Sequence, residues 1–204
     1  MTWIFGPAGL FNTMHPNVSV TRIEIRAELI DTLYRSVPVA VLVHVVSSAV
    51  LVFLLWNKAP HSSLLAWLAV LYGLTVVRWS LMRAYKRRRP STANKDHWGK
   101  AAAALSWVFG LTWAAVPVLF LDPDQPATLV FITVILVGMN AQALMAVVSY
   151  PPAYLASVLA LLSLIAVLVL RGGVSGAEIA FLVSLNLVAC LLYAKNVYRT
   201  LDHS

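Results

Sequence analysis

Five polar side chains interrupt runs of sequence that are otherwise apolar: His44, Arg78, Asn140, Gln142 and Asn186. Together they offer an imidazole, a permanent cation and three carboxamides. Groups of these types can hold and orient a polar head, but they do not make a reaction centre. A metal site needs clustered His, Cys or carboxylate ligands. His44 is the only histidine in an apolar run, with His15, His61, His97 and His203 in loops or tails, so a bis-histidine haem lacks its second ligand. No acidic residue lies deep in any run, which removes the usual carboxylate of a proton-coupled carrier. Neither a glycine-rich phosphate loop nor a nucleophile elbow occurs. The sequence carries no catalytic motif and implies no cofactor.

The elements that position these residues follow from composition. Of the 204 residues, 60% are hydrophobic and 11% charged. Soluble domains carry roughly 25% charged residues, so this chain cannot cover itself with polar surface, and lipid must do so. Six stretches reach the roughly 20 residues that cross a bilayer as a helix: Ser36–Trp56, Ser63–Met82, Ala101–Leu121, Ala127–Val148, Pro152–Leu170 and Ala177–Ala194. Glycine and proline clusters separate them, as helix breakers should. The expected fold is all-α, an integral membrane six-helix bundle with no room for a soluble domain and no internal repeat. The lone cysteine, Cys190, allows no disulfide within the chain. The N-terminal segment, 1–17, has no basic n-region and no clear cleavage site, and does not read as a signal peptide.

Ahead of the first span, in segment 18–35, Ile23, Ala27, Ile30 and Tyr34 recur at helical spacing, and charges occupy the other faces. Thr21 and Glu24 have the form of a capping box. The expectation is an N-terminal amphipathic interfacial helix on the membrane surface, or else a cytosolic helix leading into the span. The six spans occupy 36–194, and 195–204 reads as the start of a cytoplasmic linker toward an output domain. Basic residues set the orientation. Arg22, Arg26 and Arg35 precede the first span, seven basic residues from Arg83 to Lys100 follow the second, and Lys195 and Arg199 follow the sixth. The other side holds only Lys58 and Arg171, with Asp122 and Asp124. Both termini are expected in the cytoplasm.

The run YKRRR is a membrane-orientation signal with anionic headgroups opposite it, rather than a nucleic-acid patch, which would need a soluble scaffold. Arg78 enters the apolar run earlier. It either snorkels to the headgroups beside Trp79 or finds a buried partner. His44, Asn140 and Asn186 each fall roughly 12 Å from the inner end of their spans, and Gln142 roughly 9 Å. Polar groups at one level are either interhelical glue or the lining of a pocket for a ligand head, and they are expected to face one shared interior. In GMNAQALM, the residues Gly138, Ala141, Gln142 and Met145 share a face suited to close helix approach. Ser47, Ser48 and Cys190 read as packing residues. Trp56, Trp67, Trp98, Trp107 and Trp113 lie at or near span ends, as an interfacial belt would have them.

The order of these features resembles a known type. A lead-in ending LYR precedes Pro38; a span closes in Trp56; the next ends RW…YKRRR; then come Trp98, GLTW at Gly110–Trp113, GMNAQA, and a sixth span running out through KNVYRTL. This resembles the N-terminal multi-span membrane sensory domains of bacterial signalling proteins, found ahead of diguanylate cyclase, phosphodiesterase or histidine kinase modules. Ala114 stands where that type has a glycine after the tryptophan. The resemblance implies a sensory input domain in the bacterial inner membrane, working as a homodimer. Its stimulus would be a lipid or fatty-acid-like small molecule or a membrane state, relayed through the last span. The alternative is a small membrane transporter or channel, and a third class is a structural or assembly membrane protein.

Overall fold

A computed structural model describes residues 18–88, 90–122, 125–147 and 151–202. Side chains within these are described from 27 onward, except 93, 145–147, 151–152, 174 and 197–202. The N-terminal 17 residues lie outside them. Six long helices carry the chain: α1 (Val18–Leu55), α2 (His61–Arg88), α3 (Lys95–Phe120), α4 (Pro126–Val147), α5 (Pro151–Arg171) and α6 (Gly173–Asp202). A single 3₁₀ turn, Thr92–Asn94, precedes α3. All six are long and apolar enough to cross a membrane. Their outward faces carry large apolar side chains along their length, Phe53 at 82% and Leu170 at 81% exposure among them. Water would not tolerate that surface; lipid does.

Breakers in the sequence become helix ends. α4 and α5 begin on Pro126 and Pro151, where the missing N–H costs nothing because the first helical amides have no intrahelical partner. The α5–α6 reversal depends on glycine. Gly173 has φ +57°, and a Cβ on Gly172 would lie 2.6 Å from the Leu168 carbonyl oxygen. No larger residue fits a turn that tight.

Neighbouring helices run antiparallel, as contacts at the two ends show. At the basic end Asp31 of α1 meets Tyr85 of α2 and Lys95, the first residue of α3. At the other end Lys58 donates to Thr128 at 3.4 Å and Trp67 Nε1 to the Thr112 carbonyl at 2.8 Å. The most extensive interface joins α3 to α5. Gly110 makes it possible: a Cβ there would run into the Ala156 carbonyl. Ser163 adds a hydrogen bond across it to the Ala114 carbonyl, at 2.5 Å. α5 is central, with Leu161, Leu164 and Leu168 fully buried, whereas among the described residues α6 packs only against α5 and α4.

Three expectations need correcting. Segment 18–35 takes the second of its two expected arrangements, a helix leading into the span, rather than a separate amphipathic helix on the surface. It is continuous with the first span through Pro38, and Ala27, Ile30, Leu33, Tyr34 and Val37 are buried in the bundle. Their helical spacing marked a core-facing stripe, which sequence cannot tell from a lipid-facing one. Trp67 and Trp113 are core residues at 5% and 3% exposure, packed edge to face at 5.1 Å, rather than belt residues; Trp56 and Trp107 remain exposed. Finally, Gly138 and Ala141 point outward, with open space beside Gly138. The close approach is made by Gly110 on α3 instead. In the last segment, α6 continues as helix to Asp202.

Candidate functional site: a polar cavity within the bundle

Five helices converge on one cavity, each through residues on a single face. α1 supplies Ala40 and His44, α2 Arg78, and α3 Ser106, Phe109, Gly110 and Trp113. α4 supplies Leu136, Met139, Asn140 and Ala143, with Gln142 beside them, and α5 supplies Ala153, Ser157 and Ala160. These are spacings of three, four and seven, the period of a helix face. The cavity measures about 70 Å³, room for several waters. Four of the five polar residues singled out from sequence therefore line one space. Asn186 does not. It sits half-buried on α6, a helix with no residue in the lining, and its Oδ1 accepts from the Cys190 thiol at 3.9 Å. Its depth matched the others, but its angular position on the bundle did not.

Arg78 takes the inward course. Its Nη2 donates to Ser106 Oγ at 3.5 Å, and its guanidinium carbon lies 5.1 Å from the centre of the Phe109 ring. The snorkelling reading is set aside by that geometry; Arg83, one and a half turns on, faces Trp79 instead. Arg78 lies ten residues before the end of α2, about 15 Å along the axis. Placing an arginine at a span centre costs about 2.5–3.5 kcal/mol. A charged hydrogen bond of good geometry returns about 1.5–3 kcal/mol, and a cation–π contact about 0.5–2 kcal/mol. The bond to Ser106 is at the long limit of its class, so the compensation is partial. No carboxylate among the described residues pairs with Arg78.

The remaining polar atoms are partly satisfied. His44 Nδ1 donates to the Ala40 carbonyl at 2.8 Å, which leaves Nε2 as an acceptor. Its ring meets the edges of Phe109 (4.8 Å) and Trp113 (6.1 Å). Asn140, only 2% exposed, accepts from Ser157 at 3.3 Å through Oδ1. Tyr154 approaches Asn140, yet neither its hydroxyl nor Asn140 Nδ2 completes a hydrogen bond, and buried Trp113 Nε1 has no partner either. Buried donors left unpaired cost about 1–3 kcal/mol each. Such atoms next to a cavity are groups for an occupant to satisfy.

Ser106, Ser157, Phe109 and Gly110 also line the cavity without standing out in the sequence as site residues, and Trp113 reads there as a belt residue. The serines gave no usable signal: Ser106 and Ser157 bond back to their own helices at 2.9 and 2.7 Å, as Ser48 and Ser184 do outside the site. Only the fold separates lining serines from packing ones.

Beside the cavity, toward the basic end, a clasp ties three helices. Tyr34 stacks on Tyr85 at 3.9 Å, Trp98 stands edge-on to both, and the Tyr34 hydroxyl donates to the Trp98 carbonyl at 3.0 Å. Tyr85 donates to Asp31, and Lys95 pairs with Asp31 at 2.6 Å. Tyr85 lies seven residues from Arg78 on the same face of α2, so clasp and cavity share a rigid helix. Comparison of the chain with family models, curated proteins and solved structures finds no match, so the functional reading rests on this geometry.

Proposed function

We propose that this chain is a membrane-embedded sensory input domain, which receives an amphiphile or a membrane change in the cavity and relays it through α6. The observation that carries the reading is the position of α5. It lines the cavity with Ala153, Ser157 and Ala160, and it is the main support of α6, which has no other stake in the site. An occupant that moves α5 or the α4–α5 wall must reset α6. The connections at the end opposite the basic residues are short, at 56–60, 121–125 and 172. A stimulus therefore arrives through the bilayer. The positive-inside rule supports a cytoplasmic basic end; in this reading both termini lie in the cytoplasm of a bacterial inner membrane and α6 leads toward an output module of cyclase or kinase type. Homodimerisation belongs to the same reading.

A conduit reading, transporter or channel, needs a polar path through the whole bundle. Against it stands the half beyond the cavity, where Leu51, Leu55, Leu64, Val116, Ile132, Leu164 and Leu168 are fully buried and apolar. The test uses spin labels at Lys86 and Lys195, at the basic ends of α2 and α6, in the full chain reconstituted in nanodiscs. Adding a medium-chain amphiphile is expected to shift the label-to-label distance distribution, and Asn140→Leu to blunt the shift. An unchanged distribution, together with solute flux in proteoliposomes, would replace the sensor with a transporter. A reporter at the C-terminus that is active only outside the cytoplasm would reverse the topology.

A further inference from the structure

The cavity holds a cation that no described carboxylate neutralises. Arginine stays protonated in proteins, so Arg78 brings a full charge into the span. The chain has eight acidic residues, and among the described side chains no carboxylate pairs with it. Asp31 is engaged by Lys95 and Tyr85, and Asp96 by Lys100 at 2.9 Å. Glu28 is exposed on α1, twelve residues before Ala40, about 18 Å along the helix. Asp122 belongs to the α3–α4 connection at the far end, and Glu178 to α6, which is outside the site. The ionisable groups that act on Arg78 from neighbouring helices are His44 and Tyr34, neither of which is an anion near neutral pH.

We infer that the cavity is an oxyanion site: it takes the anionic head of a single-chain amphiphile, with Arg78 as counter-charge and Asn140 and Trp113 as further donors. The inference rests on the reading of the cavity as a ligand site and adds the ligand's charge and shape. Three observations carry it beyond the bare charge. Unpaired donors border the cavity. Arg78 spends one described N–H, on Ser106, while Asn140 Nδ2 and Trp113 Nε1 are buried with no partner. Oxyanions are what such donor sets collect. The size excludes bulk. At about 70 Å³ the space is under half of the roughly 150 Å³ that admits benzene in an engineered apolar cavity, enough for a compact head and its first carbons. The lining is also divided: Leu136, Met139 and Ala143 of α4, with Ala153 and Ala160 of α5, give the chain's first carbons an apolar wall beside the polar one. The head can come from a free carboxylate amphiphile or from an anionic bilayer lipid, and the chemistry on Arg78 is the same.

The test compares dodecanoate with dodecanol, which share a chain and differ in head charge, on the full chain in phosphatidylcholine nanodiscs. Thermal unfolding and equilibrium binding are the readouts. Dodecanoate is expected to raise Tm and to bind about tenfold or more tighter than the alcohol, the ratio a charged hydrogen bond supplies. Arg78→Met is expected to bring the acid down to the alcohol. Arg78→Lys, which keeps the charge without the fork, retains part of the preference and serves if Arg78→Met does not fold. Asn186→Leu, outside the cavity, binds as wild type. Nanodiscs of phosphatidylglycerol without dodecanoate form the second arm: a Tm rise there that Arg78→Met abolishes supports the site and names a lipid as its source. Equal binding of acid and alcohol by the wild type overturns the oxyanion inference and leaves the receptor reading standing. Binding of neither, with no Arg78-dependent lipid effect, overturns both.

Discussion

The α3–α5 seam and the α6 helix are built from similar residues and differ in how they are held. The seam closes backbone on backbone at Gly110 and Ala156, carries an interhelical hydrogen bond from Ser163, and buries a row of leucines. α6 leans on α5 and α4 and leaves Phe181, Leu182, Leu185, Val188 and Leu192 exposed to lipid. Close packing of small residues drives helix association in a membrane, because lipid is as apolar as the helix surface. The seam should therefore be the scaffold and α6 the element free to respond. The cavity lies where the two regimes meet, walled by α3 on one side and reaching α6 through α5 and α4.

The sharpest way to break this contrast is Gly110→Leu. The side chain has nowhere to go but the Ala156 backbone, so the variant should lose the folded bundle or sit at the top of the about 1–3 kcal/mol that overpacking costs. Gly138→Leu, placed in open space, should leave Tm in nanodiscs within about 2 °C. Equal tolerance of both would mean that the seam is not the scaffold. Next comes the clasp. Asp31→Ala removes the Lys95 pair and the Tyr85 hydrogen bond together, and unfolding should register a loss of about 1–2 kcal/mol. Part of the loss should return in Asp31→Asn, which still accepts from Tyr85.

Smaller effects separate cavity from periphery. Asn140→Leu removes an amide with an unpaired donor and should stabilise the empty protein by about 0.5–1 kcal/mol while weakening the response of α6 to an amphiphile. A stability loss with the response intact would make Asn140 structural glue. Asn186→Leu should change stability by less than about 0.5 kcal/mol and leave the response unaltered, since its described partner is the weak Cys190 thiol on its own helix.

Much of this arrangement can be read in the chain before any coordinates. The six apolar runs, the breakers between them and the basic run after α2 define the helices and their alternation. The depths of His44, Asn140 and Gln142 follow from counting along a helix of known rise. Depth alone misplaced Asn186, because the angle at which a helix meets its neighbours is not a property of its own sequence. The stripe of Ala27, Ile30 and Tyr34 was visible, but whether it faced lipid or protein was not. Trp67 and Trp113 looked interfacial from their positions and turned out to be packed on each other.

By itself the sequence determined that this protein is helical and lies in lipid, because 60% hydrophobic and 11% charged residues leave no other solvent for them. It also gathered most of its basic residues at one end of the six helices. Only the tertiary structure decided which polar groups meet. Arg78 could have snorkelled; packing turned it onto Phe109 and Ser106. Apolar solvent satisfies any helix face equally, so the faces are chosen by close contact, above all where Gly110 lets α3 and α5 touch. That contact sets the rotation of both helices, and with it the wall of the cavity.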